Sequence, residues 1–161
     1  MESKKFTFTT LPTNVEELRS MGDLKSPFET AALTVLALAH YPENKDAAIA
    51  MLNYLKGPQE LSAYDLQFLR DRFANKEYIA RSYLAGSSPE NNYEPTQPYT
   101  IEVTDNPYSY AQEGYAKLFL KSSGADSPRP IVLRQKGDQW FLWEQLLLAG
   151  IKVPKSEDPW A

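Results

Sequence analysis

Residues 131–144 read IVLRQKGDQWFLWE, two runs of branched and aromatic residues on either side of Gly137-Asp138. Gly137 tolerates the positive φ that the first position of a tight turn needs, and the flanking side chains favour a pleated, half-buried surface. The stretch therefore predicts a β-hairpin with strands over Ile131–Lys136 and Gln139–Glu144. Trp140 and Trp143 are expected to point to opposite faces, Trp140 in phase with Leu142 and Trp143 with Phe141. Towards the N-terminus, the same residue content predicts strands at Tyr99–Thr104 and Tyr115–Ser122. From Ser82 onward Pro89, Pro95, Pro98, Pro107, Pro128 and Pro130 leave pieces too short for helices. Far upstream, Phe6 and Phe8 alternate with polar residues in Lys5–Thr9 and predict an edge strand.

The chain before Ser82 follows a helical pattern. Thr13-Asn14-Val15-Glu16 carries a capping-box pattern ahead of a short helix that fades near Gly22. Ser26-Pro27-Phe28-Glu29 supplies an N-cap, a proline at the first helical position and an acid at the third, which predicts a helix from Pro27 to His40. Its apolar residues lie nearly all round, as in a buried central helix. Asn44 caps a third helix that stops at Gly57-Pro58, and Ser62-Ala63-Tyr64-Asp65 starts a fourth with an inward stripe of Leu66, Leu69 and Phe73. Helices ahead of strands predict an α+β fold. The N-terminal helical half (1–81) is expected to pack on one face of an antiparallel sheet of three to five strands in the C-terminal half (82–161), the whole chain forming one domain.

Composition narrows the chemistry. A chain of 161 residues with 42% hydrophobic and 24% charged residues can bury a core without disulfides or metals. Its net charge of −4 leaves no excess for neutralising phosphates, and the densest basic stretch, Arg70 to Arg81, is interrupted by Asp71 and Glu77. Neither nucleic-acid nor membrane partners are expected. With no Cys and a single His, thiolate nucleophiles, iron–sulfur clusters, cysteine zinc sites and two-histidine metal motifs are excluded. No cofactor is implied, because glycine-rich phosphate loops and dinucleotide fingerprints are absent. The first ten residues lack the apolar run of a signal peptide, and the longest apolar stretch, around Ala31–Ala39, is about half a membrane span. A cytoplasmic location is the simplest expectation.

No catalytic residue stands out. His40 closes an apolar helix, where an imidazole can meet the last carbonyls, and the many carboxylates point to no particular pair. The unusual feature is the density of tyrosine from Tyr78 through Tyr83, Tyr93, Tyr99, Tyr108 and Tyr110 to Tyr115. A tyrosine joins a large apolar area to a polar tip, which suits recognition of peptides, sugars or proteins and suits equally the packing of a proline-rich loop. We take Tyr99 and Tyr115 to point inward and Tyr93, Tyr108 and Tyr110 to be partly exposed. The loop from Ser122 to Pro130 adds Asp126 and a guanidinium fork, Arg129, for an anion or carboxylate. The candidate binding residues are thus Tyr93, Tyr108, Tyr110, Asp126 and Arg129. The reading is a non-catalytic binding or protein-interaction domain with a protein, peptide or glycan partner. Its alternative is a small hydrolase or isomerase using carboxylates and tyrosines in a pocket between sheet and helices. The terminal Pro159-Trp160-Ala161 is expected to dock back on the sheet.

The stretches SYLAGSSPENNYEPTQPYTI (82–101), NPYSYAQEGYAK (106–117) and SSGADSPRPIVLRQKGDQWFLWEQLLL (122–148), with the final DPWA, resemble an uncharacterised family from Gram-positive anaerobic bacteria, a domain of unknown function. The resemblance extends over nearly the whole chain and implies a bacterial, stand-alone domain. It assigns no site, cofactor or substrate.

Overall fold

The computed structural model describes residues 1–161. Strand β1 (Ser3–Phe8) is followed by four helices, α1 (Val15–Arg19), α2 (Pro27–Ala39), α3 (Lys45–Lys56) and α4 (Ala63–Phe73), and then by strands β2 (Tyr99–Thr104), β3 (Tyr115–Leu120), β4 (Arg129–Lys136) and β5 (Gln139–Gln145). The five strands form one antiparallel sheet in the order β1-β2-β3-β4-β5. The fold is α+β, as expected, with the helices inserted between the two strands at one side of the sheet.

Local sequence chemistry fixes the helix ends. The Ser26 hydroxyl accepts the Phe28 N–H, Asn44 Oδ1 accepts the Ala47 N–H, and Ser62 and Asp65 cap each other's backbone. Gly57, at φ 70°, ends α3 in a conformation that disfavours a side chain. One cap is displaced from expectation. Asn14 rather than Thr13 is the N-cap of α1, accepting the Glu17 N–H at 2.9 Å, while Thr13 donates its own N–H to the Glu17 carboxylate. The Thr13 contacts hold Glu17 below the usual carboxylate range.

Helix α2 lies at the centre and touches α3 and all five strands. Phe28 and every residue from Thr30 to Leu38 are buried, so the all-round apolar pattern is matched by an all-round environment. The buried apolar residues form one connected cluster running from Leu18 to Leu148, to which the sheet contributes Ile101, Val103, Ala116, Leu118, Leu120, Ile131, Leu133 and Leu142. No helix is long and apolar enough to cross a membrane.

The two outer strands end differently. The Trp140 N–H donates to Leu24 O at 2.7 Å, and the Trp140 carbonyl accepts from the Thr30 hydroxyl at 2.8 Å, so the helical layer seals that part of the β5 edge. The β1 edge is open and carries Lys4 and Lys5, charges that discourage pairing with another chain. Between Val132 and Leu133 the β4–β5 register shifts, and Trp143 becomes an extra residue in β5. The expected phase of Trp143 with Phe141 is kept, since Phe141 is the register partner of Arg134 and the Arg134 guanidinium lies over Trp143; the bulge changes the phase only from Glu144 onward. Phe141 lies against Gly57, whereas Trp143 meets Tyr115 and Arg134. Trp160 does not dock on the sheet. It is 93% exposed, and the tail is held instead by Ser156 on Asn92 and by Lys152 on Gly124.

Candidate binding surface

Because Ala116, Leu118 and Leu120 face the helices, alternation turns Tyr115, Lys117 and Phe119 to the uncovered face of the sheet. Arg134 is the β4 register partner of Tyr115. The Tyr115 and Trp143 rings meet edge to face at 5.8 Å and 80°, and the Arg134 guanidinium lies 4.6 Å from the Trp143 centroid and 5.4 Å from that of Tyr115. A cation over two rings gains from both quadrupoles and loses little flexibility on further binding.

The loop between β2 and β3 forms one wall of this area. Asn106 closes a turn by accepting the Tyr108 N–H at 2.8 Å, and the Ser109 carbonyl accepts the Lys117 N–H at 2.9 Å. Ser109 is thereby buried against the sheet, which leaves its neighbours Tyr108 and Tyr110 projecting at 79% and 48% exposure. Burial, then the Asp105 and Glu2 carboxylates, push the Tyr110 phenol up. Between loop and strands lies a cleft of about 370 Å³ lined by Tyr108, Gln112, Tyr115, Lys117, Val132, Trp143 and Glu144, among others. Trp143 also borders two neighbouring depressions, one between β5 and helices α3 and α4 and one between the end of α3 and the β4–β5 hairpin.

The residues singled out from the sequence do not come together. Tyr108 and Tyr110 project from the β2–β3 loop as expected, but Tyr93 is completely buried. Its ring stacks on Tyr78 at 5.2 Å and its hydroxyl donates to Lys152 O at 2.6 Å, beneath the β3–β4 loop. Burial, with lesser contributions from Tyr78 and Glu90, pushes that hydroxyl up to about 12. Tyr83 is buried in the same way, with its hydroxyl on Leu147 O and its ionisation displaced upward. Arg129 is not a free fork. Its Nε donates to Ala149 O at 3.0 Å, Nη2 to Gly150 O at 3.2 Å and Nη1 to the Ser127 carbonyl and hydroxyl, so the guanidinium ties two loops together. Asp126 is exposed, 3.8 Å from Lys152 Nζ. Tyr115 faces outward, against expectation, and Tyr99 packs partly on the core.

Trp143, Tyr115 and Arg134 were the residues missed. A signal for Tyr115 was available in YAKLFL, where the small and aliphatic residues at alternate positions already claim the inner face and leave Tyr115 outside. For Trp143 the signal was its phase opposite the buried Leu142, which did not reveal the neighbours Tyr115 and Arg134 that the sheet brings to it.

The arrangement offers little for proton transfer. The strongly displaced groups are phenols raised away from neutral pH, and no group of three His, Cys, Asp or Glu side chains is placed to hold a metal. His40 serves as the C-cap of α2. The fold and surface together define an α+β domain whose sheet bears an open, aromatic face. Residues 10–155 match the family described as Domain of unknown function (DUF6935), and the chain belongs to that family. No curated protein matches it. No solved structure matches it either.

Proposed function

We propose that this is a non-catalytic binding domain that takes a peptide or an exposed segment of a protein on the open sheet face around Trp143, Tyr115 and Tyr108. The observation that carries the reading is the exposure of Tyr108 beside the Tyr115–Arg134–Trp143 stack, in a cleft built from two strands and a pinned loop. Rings held by a rigid frame gain contact area on binding at small entropic cost. Lys117 and Glu144 at the rim offer opposite charges for orienting a chain. The domain is taken to work in the cytoplasm of a Gram-positive anaerobe, a placement that rests on composition and on the sequence resemblance and that fractionation of such cells would check.

The enzymatic alternative has one pocket in the right place. A hollow of about 260 Å³ between β5 and helices α3 and α4 includes Tyr64, Asp65 and Glu144. Its walls are mainly aliphatic, and the Asp65 carboxylate is engaged by the Ser62 N–H at 2.9 Å, which leaves no free pair of carboxylates. Selection from a displayed random-peptide library tests the binding reading. Enriched peptides are expected to bind the wild-type domain and to lose at least about tenfold in affinity for Tyr108→Ala and Trp143→Ala. Failure of any sequence to enrich, or equal binding by both variants, would refute it.

A further inference from the structure

We propose that the hollow between the end of α3 and the β4–β5 hairpin is a binding site for a small organic anion, one that carries a phosphoryl or polycarboxylate group of charge −2 or more. This hollow measures about 510 Å³, within the range of ligand pockets. Its lining includes three cations, Lys56, Arg134 and Lys136, and two amides, Gln59 and Gln135, but no Asp or Glu. In a chain of net charge −4, such a one-sided local balance is a departure that its sequence does not announce, because the cations come from segments nearly eighty residues apart and converge only in the fold.

These cations are held ready rather than spent. The chain's two ion pairs are Lys25–Asp138 and Lys152–Asp126, so none of the three is neutralised by a carboxylate. The Arg134 guanidinium is stacked on Trp143 and Tyr115, which fixes its plane while leaving its edge N–H groups without a protein acceptor. That is the geometry in which a fork receives two oxygens of one anion. Lys56 Nζ donates one hydrogen bond to Trp143 O at 3.2 Å and keeps two N–H groups for a ligand. Fixing both heads before binding reduces the ordering entropy that an anion must offset. Phe141, Leu142 and Trp143 provide an apolar wall for the organic body.

A small anion fits better than a polyanion. The cations meet in one hollow instead of forming a stripe, and Glu60 and Glu144 lie in the adjoining depressions, where a phosphate backbone would have to pass. The site uses Trp143 as a wall but asks nothing of Tyr108, so it stands or falls apart from the peptide-binding reading.

Calorimetric titration of the full chain with pyrophosphate and with citrate, at ionic strength held constant with chloride, tests the proposal. Saturable binding of at least one of the two is expected. Preference for pyrophosphate would assign a phosphoryl ligand, and preference for citrate a polycarboxylate. Arg134→Gln and Lys56→Gln should each weaken binding by about tenfold or more, with Arg134→Lys in between. Tyr108→Ala and the remote Lys155→Gln should bind as the wild type does, and thermal melting of each variant checks that it is folded. Absence of binding above the chloride control for both anions, or undiminished binding by a folded Lys56→Gln/Arg134→Gln variant, would overturn the site.

Discussion

Tyr93 and Tyr108 come from the same tyrosine-rich stretch and end in opposite surroundings. Tyr93 is sealed under the β3–β4 loop with its ring on Tyr78 and its hydroxyl on a backbone carbonyl, while Tyr108 stands in solvent at the rim of the open sheet face. The difference lies in what reaches each hydroxyl. Lys152 O, fifty-nine residues downstream, closes over Tyr93, and no protein acceptor meets Tyr108. A phenol buried with its tip satisfied is structural mortar; the same side chain left with a wet tip remains free to serve recognition.

The sharpest way to break this contrast is truncation. Tyr93→Ala should cost about 3–5 kcal/mol in urea unfolding, through lost burial and the cavity left behind. A loss below about 1 kcal/mol would show that the loop above it adapts freely and that the ring is no keystone. Next comes Arg129, which the buried region uses as a tie between loops. Arg129→Ala should cost about 1.5–3 kcal/mol, since several backbone carbonyls lose a charged donor, and an unchanged midpoint would return Arg129 to the role of a spare fork.

A milder probe removes only the hydroxyl. Tyr93→Phe leaves Lys152 O without its partner and should cost about 1–2 kcal/mol at neutral pH. Its signature is in alkali. An exposed phenol titrates near pH ~10, and the folded chain holds the Tyr93 proton to about 12. The folded state therefore binds that proton more tightly than the unfolded state, so its contribution is complete below pH ~10 and is lost as the pH rises towards 12. The wild type should lose stability across that window more steeply than Tyr93→Phe, and parallel curves would contradict the assignment. Smallest of all, Tyr108→Ala should shift stability by no more than about 0.5 kcal/mol while removing peptide binding, and a large loss of stability would move Tyr108 into the structural group.

What could be read in advance follows from range. The caps at Ser26, Asn44 and Ser62, the glycine stop at Gly57 and the Gly137-Asp138 turn each act within a few residues, and all were legible. The outward projection of Tyr108 and Tyr110 was legible too, from their place in the loop between two strands. Burial of Tyr93 was not, since it depends on a φ of 57° at Tyr93 and on Lys152 far downstream. The same holds for Arg129, whose acceptors Ala149 and Gly150 are brought back only after β5 has been laid down. The hub at Trp143 escaped notice because it is assembled across three strands, from Tyr115 on β3 and Arg134 on β4, and alternation within β5 says nothing of those neighbours.

The place of β1 in the sheet also bears on biosynthesis. Its partner β2 lies 101 residues away at the Ser3–Thr104 pair, so β1 leaves the ribosome long before its neighbour, whereas each later strand follows its neighbour closely. At about 5–20 residues per second, β1 waits on the order of 5–20 seconds while all four helices are made. During that interval it is a bare strand carrying Phe6 and Phe8, and Lys4 and Lys5 are the charges that keep it from pairing with another nascent chain. Once the sheet is complete, Lys4 is drawn over the Phe28 ring at 4.9 Å. The same lysine that guards the strand during synthesis then helps to latch it to the central helix.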